Sequence, residues 1–314
     1  MKKICRLGVH DQPLYNARDQ QPAFALRYSW SGWPTSGDLR ALPDDQWPAL
    51  TSAWEADGLR LLERTAERSQ ILLTFSTKPN VTPAFLAMRA KGRLQHAFRT
   101  SSAEPIEFSR KLAVRAVGEN TASAVEEYIR SQVKSAEFVD IRFAELLERL
   151  TVIARDVDLA QPSESRSGRY WYNLHVVLVT DGRFRFGDEP SLTKLRDGSL
   201  KIAAKKGYRI AALSVMPDHL HVALRGNVEH SPEEIALAFQ NNLAHMLQRG
   251  AIWRPGYYAG TFGEYDMNAI RTAVRRRAAG ALADKSSSPA GQAGRGRVPI
   301  SAPLLAGESD SPAG

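Results

Sequence analysis

The chain has 314 residues, a formal net charge of +8 and a pI near 9.6. Its 43% hydrophobic content supports a buried core, and no apolar run approaches the ~18–20 residues that span a bilayer, which excludes a membrane partner. A single cysteine, Cys5, excludes an internal disulfide framework and, with a basic start (Met1 to Arg6) that runs into polar Asp11, Gln12 and Asn16 rather than an apolar segment, gives a cytoplasmic protein. The positive balance favours phosphate-bearing partners, while leaving open a basic protein that binds nothing acidic.

In chain order, Phe24 to Ser31 reads as a strand, and Gln70 to Pro79 as a second hydrophobic strand. Thr82-Pro83 starts a helix that carries His96, and Gly118 marks a turn before a further helix. A long helix is predicted over about Ala136 to Asp156, because Phe143, Leu146, Leu147, Leu150 and Ile153 recur at helical spacing. Gln161 to Gly168 reads as a linker, Tyr170 to Thr180 as a buried strand, and Gly280 to Gly314 as a Gly/Ala/Ser/Pro-rich disordered tail in which Arg295 and Arg297 are weak tethers for DNA.

The halves of the chain resemble each other. Thr82-Pro83 falls on Ser231-Pro232, Leu94 on Leu243 and His96 on His245, all at an offset of 149; then Gly118 falls on Gly263, Glu119 on Glu264 and Ala124 on Ala269, at 145. Single matches are cheap, but the shared order of strand, Ser/Thr-Pro helix start, His-bearing helix, glycine turn and final helix reads as two diverged copies of one α+β unit.

Ser214 to Leu224 reads SVMPDHLHVAL. On a strand, His219 and His221 share a face, and two neutral imidazoles there can hold a divalent metal or can simply be two histidines in an ordinary sheet. Asp218 reads as a strand-entry turn residue in preference to a carboxylate partner of the site. The run Met216-Pro217-Asp218-His219-Leu220-His221 resembles the histidine–hydrophobe–histidine signature of the single-tyrosine HUH transposases, a superfamily that includes small insertion-sequence and REP-associated tyrosine transposases. Trp253-Arg254-Pro255-Gly256-Tyr257-Tyr258 with Thr261-Phe262-Gly263 resembles the same family, and the resemblance covers about Tyr170 to Arg277.

The family implies a nucleophilic tyrosine on the following helix with a glutamine one turn later. Here the corresponding positions are Ala273 and Arg277, which can do neither job. The first copy has what is missing: Tyr128 stands ten residues after Gly118, and Gln132 four further, on one helical face. It lacks the histidines in turn, with Gln70 and Leu72 at the positions of His219 and His221. Family members are commonly dimers that exchange catalytic helices, so the resemblance implies a fused pseudo-dimer. One composite site would use Tyr128 as nucleophile and His219, His221 and Gln132 on Mg2+ or Mn2+. A vestigial site would hold Gln70, Leu72, Ala273 and Arg277.

The implied fold is α+β, two copies of a ferredoxin-like or RRM-like HUH domain, each an antiparallel sheet with helices on one face. The copies are expected at 20–135 and 170–279, joined by a helical linker at 136–169 and followed by the tail at 280–314. The implied activity is metal-dependent endonuclease and strand transfer on single-stranded hairpin DNA through a 5′-phosphotyrosine, as in transposition and DNA recombination, by a chain that can be monomeric. The alternative is an inactive, domesticated HUH protein that binds hairpin DNA or RNA. A further reading puts the nucleophile at Tyr257, Tyr258 or Tyr265. Lys91, Arg93 and Arg99, and Arg271, Arg275 and Arg276 beside Arg277, are weak DNA-binding candidates. Trp30, Trp33 and Trp253 are candidates for base stacking, with a core role preferred. A composite site requires the phenol oxygen within about 4–8 Å of the imidazoles, with looser geometry allowed before substrate binds.

Overall fold

A computed structural model describes residues 13–39, 42–101, 106–166 and 168–264, all within a compact unit, Met1–Asp266. It is a mixed α+β structure whose described residues form two six-stranded sheets and six α-helices. The first half runs β1 (Ala23–Ala25), β2 (Arg27–Ser36), α1 (Gln46–Ala56), β3 (Leu59–Ala66), β4 (Ile71–Thr77), α2 (Pro83–Ser101), β5 (Glu107–Val117) and α3 (Ala122–Ser135). After α4 (Ile141–Leu150), β6 (Val152–Ile153) and β7 (Ser163–Glu164) come β8 (Gly168–Trp171), β9 (Asn173–Val179), α5 (Glu189–Lys206), β10 (Arg209–Val215), β11 (His219–Arg225), α6 (Pro232–Leu247) and β12 (Tyr258–Thr261).

The front sheet has the order β3-β4-β2-β5-β8-β7 and the rear sheet β1-β12-β9-β11-β10-β6. Each contains a β-α-β-β-α-β run with its four strands antiparallel and in the same spatial order: β3-β4-β2-β5 in front, β10-β11-β9-β12 behind. Each also takes a strand from the other half. The chain breaks at Leu26, so that β1 pairs in parallel with β12; it breaks again at Tyr172, so that β8 pairs in parallel with β5. The predicted strands at Phe24 to Ser31 and Tyr170 to Thr180 are therefore each two strands that belong to different sheets.

The strands follow from alternation. On β9, Leu174, Val176 and Leu178 are fully buried on the face that packs against α5 and α6, while His175, Val177 and Val179 point the other way. Helix ends carry their own signals. Ser231 and Glu234 form a capping box at α6, Asp188 caps α5, and Gly207 ends α5 with φ +73°. One continuous core runs through both halves, and Trp30 and Trp253 are buried in the protein rather than presented to bases.

The helix predicted over Ala136 to Asp156 is shorter. Asp140 caps α4, and the β-branched run Thr151-Val152-Ile153 leaves the helix to pair with β10 at the sheet edge. The predicted linker Gln161 to Gly168 contains β7, which pairs with β8. The tail from Gly280 lies outside the described residues.

The two halves meet through reciprocal backbone contacts. Ala84 N donates to Val228 O (3.2 Å), and Glu233 N donates to Pro79 O (3.0 Å). Thr261 Oγ1 accepts from Arg27 N (2.8 Å) and donates to Val117 O (2.7 Å), tying the end of β12 to both β2 and β5. Gly118 lies against this junction, where a Cβ would collide with the carbonyl oxygen of Thr261 and crowd Phe262 Cα. Both obstacles are backbone and cannot rotate away. Gly118→Ala is expected to destabilise the protein by about 1–3 kcal/mol, read as a lower denaturant midpoint at unchanged slope. An unchanged midpoint would show that the junction yields freely.

Candidate active site

The rear sheet packs one face into the main core, and a helix from the front half covers part of its other face. On β10 and β11 that second face carries Ala212 and Ala223, whose small side chains let a helix approach closely. The helix is α3, from the front half. Val125 and Ile129 of α3 pack on Ala212, Ala223 and Phe262 to make a small separate core. Val125, Ile129 and Val133, four apart, form its buried stripe. Its start is fixed by Thr121, which accepts from Ala124 N (3.2 Å), and by Ala122 N donating to Gly263 O (2.8 Å).

This docking brings Tyr128 over the histidines. The phenol ring lies edge-on to His221, with centroids 5.4 Å apart, and edge-on to His175 at 6.0 Å. Tyr128 remains 51% exposed, whereas His221 is only 4% exposed at the floor of the site. Gln132 sits one turn on, and its Nε2 donates to the carbonyl oxygen of Tyr128 (3.1 Å), so in this state its amide is turned to its own helix. Arg130, on the same helix, pairs with Glu126 and Glu127.

His219 and His221 share one face of β11, with ring centroids 4.9 Å apart. His219 Nδ1 lies 2.7 Å from Asp218 Oδ1, and Asp218 also pairs with Arg183 at 3.1 Å. Burial acts to raise the Asp218 carboxyl, but the hydrogen bond and charge of His219 and the contact with Arg183 outweigh it and hold the group below its usual range. The strand-entry role preferred for Asp218 is thus incomplete, because its carboxylate is bonded to one of the histidines.

A third histidine joins them. His175 on β9 is a diagonal neighbour of His221, and the two ring planes lie 23° apart with His175 Nε2 3.1 Å from His221 Nδ1. Burial pushes His175 down to about 4. Burial, then the neighbouring His175 and His219, push His221 down to about 2. Both are neutral at physiological pH, so each ring carries one N–H and one lone pair. His175 escaped the sequence reading because it stands alone in a hydrophobic strand. The signal was there: alternation along β9 puts it on the face opposite Leu174 and Val176, the face that β11 uses for its histidines.

Tyr258 on β12 also lies edge-on to His175, at 5.9 Å. Burial foremost, and then Glu119, raise its phenol against an opposing effect of Arg27. Tyr257 is buried in the core and burial raises it as well, while Tyr265 lies outside the described residues.

The remaining candidates are elsewhere. Lys91, Arg93 and Arg99 lie on α2, engaged with Ser109 O, Asp57 and His96 respectively. Gln70 precedes β4 and Leu72 lies on it, in the front sheet. Ala273, Arg271, Arg275, Arg276 and Arg277 lie outside the described residues.

Residues 169–276 match the sequence family described as "Transposase IS200 like". That segment is about a third of the chain. It holds β9, β11 and all three histidines, associates this half with transposase-type proteins, and stops short of Tyr128 on α3. No curated protein matches the chain. Among solved structures it is similar to a protein of Deinococcus radiodurans R1 described as a candidate transposase, at 23% identity over 33% of this chain and 88% of that one, with a TM-score of 0.28. It is also similar to the regulatory subunit of aspartate kinase from Thermus thermophilus, at 10% identity over 69% of this chain and 97% of that one, with a TM-score of 0.18. Among the described residues no helix is long and apolar enough to cross a membrane.

Proposed function

We propose that this chain cuts and rejoins single-stranded hairpin DNA, using Tyr128 as the nucleophile at one composite site with His219 and His221. The observation that carries this reading is the contact between Tyr128 and His221, made by a helix from one half and a strand from the other. A tyrosine on an amphipathic helix has no packing need for the buried imidazole of His221, and the segment that holds it is the one that matches a transposase family.

The chain's own register supports two diverged copies in one fused pseudo-dimer. In the rear sheet His175 is paired with Ala223 and Gly260; in the front sheet Ser29 is paired with Thr74 and Arg115. Ala223 follows Thr74 by 149 and Gly260 follows Arg115 by 145, the two offsets of the sequence repeat. A bulge falls between Leu61 and Glu63 on β3 and between Ile210 and Ala212 on β10, again 149 apart. Bulges record one extra residue in a defined place, so two independent folds have little reason to share one. The reciprocal hydrogen bonds Ala84 to Val228 and Glu233 to Pro79 map onto each other by the same offset, as an isologous two-fold contact requires.

The residues fit a divalent metal in part. Among the described residues no group of three His, Cys, Asp or Glu side chains is arranged to hold one. His219 and His221 nevertheless offer two imidazoles on one face, with Asp218 fixing the first through Nδ1. Gln132, one turn from Tyr128, would supply an oxygen. Mg2+ or Mn2+ held there would neutralise charge on the phosphate. Tyr128 gives its phenol proton to water at this half-exposed site and its oxygen attacks phosphorus; the P–O3′ bond breaks, the 3′ oxygen takes up a proton from water, and a 5′-phosphotyrosine remains. The exposure of Tyr128 leaves room for a DNA strand over the site, and the new ester keeps the phosphodiester energy for rejoining to a second 3′-hydroxyl.

The hydrogen bond from Gln132 to its own helix favours the second reading, an inactive protein that binds hairpin DNA or RNA. Incubation with Mn2+ and hairpin single strands labelled at the 3′ end, the side that a 5′-phosphotyrosine retains, decides between them. A denaturant-resistant adduct whose peptide maps to Tyr128 is the expected result. Tight binding of the hairpin with no adduct would overturn the cleavage reading.

A further inference from the structure

We propose that His175 is a positioning residue for His221: its Nε2 accepts the Nδ1 proton of His221, which leaves His221 Nε2 bare as the ligand atom of the site. This rests on the reading of His219 and His221 as ligands, and adds a third histidine with a separate task.

The geometry leaves one proton to place. His175 Nε2 and His221 Nδ1 are 3.1 Å apart and can share only one hydrogen. If that proton sat on His175, His221 would carry its own on Nε2 and could not ligate through it. If it sits on His221 Nδ1, the Nε2 lone pair is fixed outward. The neighbouring ring is held the same way: His219 Nδ1 is bonded to the Asp218 carboxylate, which can only accept from it. Both imidazoles of β11 are then tied at Nδ1 and free at Nε2, one by a carboxylate and the other by a neutral imidazole.

The surroundings of His175 keep it at that task. Its cross-strand neighbours are Ala223 and Gly260, small enough for the ring to reach across to His221. Tyr128 and Tyr258 stand edge-on to it at 6.0 and 5.9 Å and restrict its rotation. In the front sheet, where Gln70 and Leu72 replace the two ligands, their partners are gone as well. Ser69 stands for Asp218 at the offset of 149, and Ser29 stands for His175 by strand register. A histidine kept for packing alone would have no reason to disappear together with the ligand it touches.

The test starts with the unsubstituted protein without metal, by two-bond 15N–1H correlation of its histidine rings. The expected spectrum shows His221 protonated at Nδ1 and bare at Nε2; a His221 protonated at Nε2 overturns the proposal. The second measurement is titration with Mn2+ alone. His175→Leu, which fills much of the space but accepts no hydrogen bond, is expected to weaken Mn2+ binding by about 10–100-fold. His175→Gln, whose Oε1 can accept, should recover most of it. Wild-type affinity in His175→Leu overturns the proposal, as does equal weakening in both variants while both stay folded. A wild-type protein that binds Mn2+ without forming a DNA adduct overturns the cleavage reading instead, and one that does not bind Mn2+ overturns the ligand reading; in either case the His221 tautomer decides this proposal alone.

Discussion

Tyr128→Phe is expected to abolish the proposed covalent DNA adduct while leaving the fold and the proposed metal site intact. The substitution deletes one oxygen, and that oxygen is the proposed nucleophile, so no partial route remains on α3. The loss should be at least about a thousandfold, limited by assay background, because a nucleophile's removal takes away the whole covalent pathway. The ring itself stays, with its edge-on contacts to His175 and His221. Since the side chain is half exposed, stability should change by less than about 0.5 kcal/mol. Binding of hairpin DNA should persist, and so should Mn2+ binding, which separates a chemical defect from a structural one. The competing nucleophile is Tyr258, which also faces His175 and whose phenol burial holds above the ordinary tyrosine value. An adduct that survives Tyr128→Phe and disappears in Tyr258→Phe would move the chemistry to β12 and remove the case for a site shared between the halves.

What the sequence made legible, and what it hid, divides along a physical line. The match in spacing between the halves was readable because its offset moves only from 149 to 145, so helix starts and glycine turns stay in step. The bulge shared by β3 and β10 was invisible, since no residue type marks a bulge without the partner strand to measure against. The place of Tyr128 on a helix, one turn before Gln132, was legible through its spacing from Gly118 and Gln132. His175 was not, because what makes it part of the site is a diagonal contact between β9 and β11, and one histidine among valines and leucines carries no spacing to read. Asp218 was legible as a strand-entry residue, and its bond to His219 was the alternative placed second: next to a proline and before a strand, turn chemistry and a bond to His219 predict the same letter. The strand exchange at Leu26 and Tyr172 was hidden for another reason. A chain that leaves one sheet and enters another keeps its β character throughout, so pattern alone reads each pair of strands as one. The helix expected to run to Asp156 stops at Leu150 because edge pairing of Val152 and Ile153 with β10 outweighs continued helical spacing.

The second large effect is expected from His221→Ala. His221 lies at the floor of the site, 4% exposed, beside His175 and facing Tyr128. Its removal takes one of two imidazoles from the donor set and leaves His175 Nε2 without its partner, so the proposed metal site falls below the number of ligands that holds a divalent ion. Adduct formation is expected to fall by about a thousandfold, with Mn2+ binding lost to the same degree, and the loss should not be recovered by raising DNA concentration. Mixing this variant with Tyr128→Phe then asks where the site is assembled. A dimer that exchanged its catalytic helices between chains would regain activity in the mixture, because a sound tyrosine on one chain could meet sound histidines on the other. Here α3 is tied to the rear half of its own chain, by Ala122 N on Gly263 O at its start and by Val125 and Ile129 against Ala212, Ala223 and Phe262 along its length. Strand β1 pairs with β12 and β8 with β5, so separating the halves would break two sheets as well as that helix contact. The mixture is therefore expected to stay inactive. Recovered activity would mean that α3 can leave its own rear sheet for another chain's, and that the proposed site is not closed within one molecule.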